Sequence, residues 1–343
     1  MRVALDATYS VDRYPSGIAV YSGEILAGLA SEYPEDTFLH CYRPKQFGNA
    51  PPSTLKNVRK RVLLPPVPTF TADVFHSLNQ RVDKRPAKRV VSTFHDLFVL
   101  TGEYSSPEFR VRFSQQARSA ALRSDLIVAV SEFTAKQVSG LLGVPRARIR
   151  VVPHGVRMPA GLEAKTRDKL ILSVGALQTR KNVVRLVEAF EALPEDWRLI
   201  LAGAPTGFGA ERILQRIESS RCRDRIQVTG YVTRAELVNL YSRASIFSFP
   251  SLDEGFGIPV LEAMAYEVPV VTSNSSALVE VAGSAALLVD PRQTSEIEAA
   301  LKRLIEDPEL RRHLANLGRQ RASLFPWERA VRDTYGVYRD LLN

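Results

Sequence analysis

Residues 151–161 read VVPHGVRMPAG, and the pattern of the chain resets there. The stretch is rich in Pro and Gly and runs into the polar EAKTRDK, the composition of a linker. Upstream, RVALDA, TFLHCY, ADVFHS, RVVSTFHDL, DLIVAVS and RIRVVPHG read as strands. Several are apolar through most of their length, as parallel strands covered on both faces must be. Helical periodicity fills the gaps: Ile18, Tyr21, Ile25 and Leu29 recur on one face, PEFRVRFSQQARSAALR follows, and SEFTAKQVSGLLG opens on Ser and closes on Gly. Downstream of residue 161 the alternation starts again. KLILSVG, WRLILAG, RIQVTGYV, SIFSFPS, VPVVTS and AALLVD are strands, with NVVRLVEAFEAL, ERILQRIESS and TRAELVNLYSRA between them. Thr233 and Glu236 form a capping box at the start of the last of these helices. A long helical tail, SEIEAALKRLIEDPELRRHLANLGRQRA, precedes FPWERAVRDTYGVYRDLL.

Two successive βαβ series predict an α/β protein of two Rossmann-like, doubly wound domains facing across a cleft, with ligands at the carboxyl ends of the strands. A chain of 343 residues is too long for one ordinary core and agrees with two. At 45% hydrophobic and 24% charged residues, the composition is that of a globular protein. The start MRVALDATYS runs straight into a strand rather than a signal segment, and no apolar run is long enough to cross a bilayer. Cys41 and Cys222 lie far apart and form no metal-ligand spacing. The expected compartment is therefore the reducing cytoplasm.

The net charge of +9 is uneven. Residues 1–160 hold 22 Lys and Arg against 13 Asp and Glu, and the remainder holds 24 of each. Arg59-Lys60-Arg61 and the group Arg81, Lys84, Arg85, Lys88 and Arg89 are the visible clusters. They suit an anionic partner such as a membrane surface, or equally a solvated basic face. Aromatics do not interleave with them and no nucleic-acid module appears, so nucleic acid is not an expected partner.

Residues 249–265, FPSLDEGFGIPVLEAMA, carry the most chemistry. A strand ends in a loop, and Pro259 opens a helix whose first N–H groups, around Gly257 to Leu261, suit phosphate or diphosphate. Glu262 is expected on the first turn of that helix and Glu254 in the loop. Two ionised carboxylates flanking an anion site suit sugar hydroxyls; the bland alternative is one acid complementing the helix dipole and one on the surface. In SVGALQTRKNVVRLVEAF, Arg180 and Lys181 precede a helix, where cations are electrostatically misplaced and call for an anion. His95 ends a strand in STFHDLF, a better position for a proton-handling group than His76 or His154 occupy. Gly17, in YPSGIAVYSGEIL, begins a helix toward the same crevice. P-loop, nucleophile-elbow, zinc-helix and dinucleotide fingerprints are absent.

Taken together, the R-K-N loop, EGFGIPVLEAMA, DATYSVDRYPSGIAVYSGEIL, FHDLF, AVSEFTAKQV and VVPHGV resemble the retaining family-4 glycosyltransferases of the GT-B fold. That resemblance implies an N-terminal, acceptor-side domain over residues 1–158, a nucleotide-sugar domain over 159–326, and a C-terminal helix of about 327–343 packing back on the first. It implies a nucleotide-diphosphate sugar, GDP-mannose-like or a UDP-sugar, as donor, with no cofactor and no bound metal. Glu254 would then accept from hydroxyls of the transferred sugar and Glu262 from the nucleotide ribose. Backbone groups of Phe256, Gly257 and Ile258 would meet the donor, Lys181 and Arg180 the diphosphate, and the backbone around Tyr231 and Val232 the base. His95 would lie near the reacting sugar and Gly17 near the phosphates. Ala176 and Leu177 stand where many relatives carry an Arg, and Glu267 where the motif helix usually ends in Gly. The acceptor would be a glycan or lipid-linked sugar in cell-surface polysaccharide synthesis, reached at the inner face of the membrane. Rival readings are a glycoside hydrolase using both acids, a nucleotide-sugar-binding protein without activity, and a sugar-nucleotide epimerase.

Overall fold

A computed structural model describes all residues except 13–15, 51, 65–70 and 162–166. Most of the polar linker segment and two residues of the YPSG stretch lie outside the described residues. The chain divides into two compact units, one formed by Met1–Thr101, Pro107–Gly155 and Trp327–Asn343, the other by Gly102–Ser106 and Val156–Pro326.

The first unit holds seven parallel strands: β1 (Arg2–Asp6), β2 (Thr37–Tyr42), β3 (Val58–Val62), β4 (Val74–Ser77), β5 (Arg89–Phe94), β6 (Leu126–Ala129) and β7 (Ile149–Val151). Their order is β3-β2-β1-β4-β5-β6-β7. Its first helices are α1 (Gly17–Glu32), α2 (Pro44–Phe47), α3 (Phe98–Thr101), α4 (Pro107–Arg123) and α5 (Glu132–Leu142). Alternation along β1 splits the core: Val3 and Leu5 join one apolar cluster and Ala4 the other. Strands buried on both faces explain why the upstream runs are so apolar. At α5, Ser131 accepts from the Thr134 N–H and Gly143 closes the helix in the left-handed region, as the Ser and Gly punctuation predicts.

The basic run at residues 59–61 is a strand, which the sequence reading did not anticipate. β3 lies at the sheet edge, where charged side chains are tolerated and guard against further pairing. Arg59 and Arg61 are exposed on it. Lys60 instead lays its ammonium 4.4 Å from the Phe47 ring centre and donates to the Ala50 carbonyl at 2.8 Å. In the second basic cluster Arg81 pairs with Asp83 and Arg85 with Asp125, while Lys84, Lys88 and Arg89 are exposed.

The second unit holds six parallel strands, β8 (Leu170–Val174), β9 (Arg198–Ala202), β10 (Ile226–Gly230), β11 (Ile246–Phe249), β12 (Val270–Ser273) and β13 (Ala286–Val289), in the order β10-β9-β8-β11-β12-β13. Between them run α6 (Val183–Phe190), α7 (Ala210–Glu218), α8 (Arg234–Arg243), α9 (Ile258–Ala265) and α10 (Leu278–Ala282). On α6, Val183, Leu186, Val187 and Phe190 recur at helical spacing and are all buried against Trp197, Leu199 and Leu201. The expected single helical tail is two helices, α11 (Thr294–Glu306) and α12 (Pro308–Ser323). Pro308 has no N–H to continue α11, and Asp307 caps the restart by accepting from the Leu310 N–H at 2.9 Å.

α13 (Trp327–Leu342) belongs to the first unit and packs along α1. The approach is close: a Cβ on Gly28 would stand 2.3 Å from Val331 Cγ2. No described helix is long and apolar enough to cross a membrane.

Candidate active site

In the second sheet the strand order reverses between β8 and β11, and open parallel sheets bind ligands at such a point, outside the carboxyl ends of the strands. The two loops singled out by sequence leave those two strands. After β8, residues Thr179–Lys181 make one tight turn, and Asn182 adopts φ 58° to start α6. Asn tolerates this left-handed conformation better than most side chains. Buried Asn182 donates its amide to the Pro250 carbonyl at 3.0 Å and the Pro291 carbonyl at 2.6 Å. The Leu252 N–H reaches the Arg180 carbonyl at 2.8 Å. These bonds stitch the R-K-N turn to the loops after β11 and β13.

Stitching brings three charges together. Arg180 Nη1 donates to the Asp253 carbonyl at 2.7 Å and lies 2.6 Å from Glu254 Oε2. Lys181 Nζ donates to Glu254 Oε1 at 2.6 Å, and its ammonium stands 4.4 Å from the Phe249 ring centre. All three side chains are nearly buried. Burial alone would push the Glu254 carboxyl up, but Arg180 and then Lys181 outweigh it and hold it at about 2. Glu254 is thus the anion that the misplaced cations call for, and it is fully ionised at neutral pH. A carboxylate has about four acceptor positions, so two cationic donors leave room for hydroxyls.

α9 begins beside this cluster. Gly257 is its N-cap at φ 111°, outside the reach of ordinary side chains, and a Cβ there would come 2.7 Å from Leu278 Cδ2. The opening turn of α9 carries N–H groups without intrahelical acceptors and the positive end of the helix dipole. Phe256 is buried edge-on against Phe325, with ring centres 6.0 Å apart.

Glu262 departs from expectation. Because the helix opens at Ile258, with Pro259 second, Glu262 falls on the second turn rather than the first. The helix-dipole account fades beyond the first turn, so it does not explain this acid. Its partners come from α8. Tyr241 donates its hydroxyl to Glu262 Oε2 at 3.1 Å, and Arg234 Nη1 approaches Oε1 at 3.4 Å. The capping box is formed as the sequence predicts, with Thr233 and Glu236 each accepting the other's N–H. It fixes Arg234 at the first helical position, and Tyr241, seven residues on, lies on the same face. Burial raises the Glu262 pKa, with Arg234 and Tyr241 opposing it. Tyr231 and Val232 join β10 to α8, Tyr231 exposed and Val232 half-buried.

The first unit holds the other two residues singled out by sequence. Gly17 is exposed at the first position of α1. His95 follows β5 and is buried, donating Nε2–H to the Leu78 carbonyl at 2.8 Å, which leaves Nδ1 to accept from His154 Nε2 at 3.3 Å. Burial lowers its pKa to about 4, so it is neutral at pH 7. His76 and His154, ranked below it by sequence, share its surroundings. The His95 and His154 rings stack, and Tyr21 sits edge-on to both. Tyr21 in turn meets Thr93, which bonds His76 Nε2, while His76 Nδ1 faces the Tyr338 hydroxyl at 2.7 Å. The strand-end position therefore does not set His95 apart from the other two.

Sequence reasoning named Asn182 within the R-K-N loop without giving it a role, and passed over Tyr241 and Arg234. An Asn directly before a helix and a seven-residue spacing on a capped helix were the signals available.

Comparison with known proteins adds to this geometry. The profile described as Glycosyl transferases group 1 matches residues 157–321, and that described as Glycosyltransferase Family 4 matches residues 36–158. The chain is similar to O-antigen chain mannosyltransferase B of Escherichia coli, 32% identical over 283 residues, 78% of this chain and 74% of that protein. Among solved structures, sucrose-phosphate synthase of Thermosynechococcus elongatus superposes with a TM-score of 0.79 at 21% identity, over 100% of this chain and 99% of that one. HepE of Anabaena in complex with UDP-glucose gives 0.74 at 16% identity, over 99% and 100%.

Proposed function

The chain belongs to the group 1, family-4 glycosyltransferases of the GT-B fold, and on that footing we propose that it moves a hexose from a nucleotide-diphosphate sugar to a growing surface polysaccharide with retention at the anomeric carbon and no metal. The observation that carries this reading is the Arg180–Lys181–Glu254 cluster beside the N-terminus of α9 at the strand-order reversal.

As the glycosidic bond breaks, negative charge grows on the departing diphosphate. Lys181, Arg180 and the opening N–H groups of α9 supply positive potential within a largely buried site, where it acts most strongly. Glu254 accepts from hydroxyls of the transferred sugar and keeps both cations from drifting. Glu262 holds the ribose, the backbone of Phe256, Gly257 and Ile258 meets the donor, and the turn at Tyr231 and Val232 meets the base. The acceptor attacks from the face the diphosphate leaves, giving its proton to the departing phosphate. GDP-mannose is the favoured donor because a mannosyltransferase stands among the similar proteins; a UDP-sugar is the alternative. The acceptor is a glycan or lipid-linked sugar. Exposed Arg59, Arg61, Lys84, Lys88 and Arg89 suit an anionic membrane surface on the cytoplasmic side.

A transfer assay over a panel of nucleotide sugars, with and without chelator, tests the reading. Transfer from one donor, unchanged by chelator and with the product anomer matching the donor by NMR, is expected. Lys181→Ala should lower kcat about a hundredfold and raise the donor KM. Sugar release without any nucleotide donor, or donor binding without transfer, would overturn the reading in favour of a hydrolase or a binding protein respectively.

A further inference from the structure

Glu262 is held from α8 at both ends of its carboxylate. One carboxylate oxygen takes the Tyr241 hydroxyl and the other faces the Arg234 guanidinium. Tyr241 cannot wander: its ring is buried, stacked on Tyr266 with centres 5.5 Å apart and tilted against Phe247, and its hydroxyl also reaches the Pro259 carbonyl at 3.4 Å. Arg234 differs, since its side chain is 56% exposed and sits at the first position of α8. A cation there opposes the helix dipole, so its placement is not explained by α8 itself.

The capacity of the carboxylate then becomes informative. Of about four acceptor positions, Tyr241 and Arg234 occupy one on each oxygen, leaving one on each. Two adjacent acceptors on a fixed plane match two hydroxyls on neighbouring carbons. We propose that Tyr241 and Arg234 are positioning residues that orient Glu262 to take both ribose hydroxyls, making the protein selective for ribonucleotide over 2′-deoxyribonucleotide donors. This rests on the assignment of Glu262 to the ribose given above.

The charged and titratable groups facing Glu262 are Arg234 and Tyr241 from α8 and Tyr266 from the end of α9. Burial raises the Glu262 pKa, and both α8 groups counter it by favouring the ionised form. Loss of either raises it further, so nucleotide binding should weaken at a higher pH in the variants than in the parent chain.

Titration calorimetry of GDP, UDP and their 2′-deoxy counterparts against the parent chain, Tyr241→Phe, Arg234→Ala and Glu262→Gln tests this. The parent should prefer the ribonucleotide at least tenfold, in line with a hydrogen bond to a charged group. Tyr241→Phe and Arg234→Ala should each cut that preference several-fold and shift the acid limb of binding upward in pH. In the transfer assay each should raise the donor KM and leave kcat at saturating donor nearly unchanged, because the ribose is remote from the reacting carbon. Arg234→Lys should restore part of the preference. Should Glu262→Gln lose the preference while Tyr241→Phe and Arg234→Ala keep it, the positioning role is wrong and the ribose assignment stands. A full preference in Glu262→Gln, no preference in the parent chain, or no binding of either base would remove the ribose assignment and this inference with it. If Tyr241→Phe loses its fold by thermal melting, exposed Arg234→Ala alone decides.

Discussion

Asn182 shows how one side chain can set a site it never touches. It supplies a left-handed backbone and two buried hydrogen bonds, to carbonyls on two different loops. Asn182→Ala removes both donors and places a less tolerant residue at φ 58°, so a loss of about 2–4 kcal/mol is expected in denaturant unfolding. Asn182→Gly keeps the backbone free and loses only the amide. It should therefore recover about 1 kcal/mol of that loss; equal losses in the two variants would show that backbone strain contributes nothing. Glu267 poses the opposite case. It follows the end of α9 at φ 58°, a conformation that favours Gly, and meets Arg319 at 3.0 Å. Removing its strain gains ~1–2 kcal/mol, while the greater freedom of an unfolded Gly and a lost surface ion pair return a similar amount. Glu267→Gly should thus lie within about 1 kcal/mol of the parent, whereas β-branched Glu267→Val should lose ~1–2 kcal/mol. A Gly variant stabilised by more than that range would mean the Arg319 pair is worth nothing.

Among the elements, α9 concentrates the most demands in the fewest residues. Its start needs Gly257 for the dihedral and for the space beside Leu278. Gly257→Ala should shift the opening turn, reduce transfer at least tenfold and lower stability by about 1–3 kcal/mol. Adding Leu278→Ala opens the space and leaves the dihedral unchanged. Recovery of activity in that double variant would trace the defect to crowding rather than to backbone conformation. The strands were legible because burial on both faces makes them apolar runs, and the capping box and the Ser131–Gly143 helix were legible because their signals are local. β3 was hidden because an edge strand can carry Arg59, Lys60 and Arg61, which read as a solvated charge run. The break at Pro308 was written in the sequence, yet the periodicity on both sides masked it. Partners of Glu254 and Glu262 were not legible. Each pairing joins residues 21 or more positions apart, and only the packed sheet brings them together.

For the whole molecule, the buried and half-buried histidines set the acid limit. His76, His95 and His40 are pushed down to about 3, about 4 and about 4 by burial, and His154 falls well below its ordinary value for the same reason. Above pH 6.5 neither folded nor unfolded chain protonates them, and they have no effect on stability. Below it the unfolded chain takes up protons that the fold refuses, so stability falls by up to roughly 1.4 kcal/mol per pH unit for each group until the folded pKa is reached. Glu254 acts in a later window: its depressed pKa favours the fold at neutral pH, and that contribution is lost only as pH drops from about 4.5 toward about 2. Thermal melts should therefore decline steeply between pH 6 and 4, mostly above the window in which the Glu254 contribution is lost. A midpoint that stays level down to pH 4.5 would show that these rings are already charged in the fold.

The return of α13 to the first unit has a consequence for the order in which the protein is made. Residues 156–326 leave the ribosome before Trp327, Val331 and Tyr338, which complete the core around α1 and supply the hydroxyl facing His76. Until they emerge, the first unit carries an open apolar groove along α1 and an imidazole that keeps Thr93 but lacks the Tyr338 hydroxyl. The half synthesised first is thus the half finished last, and the nascent chain must keep that groove covered or soluble while the whole of the second sheet is built.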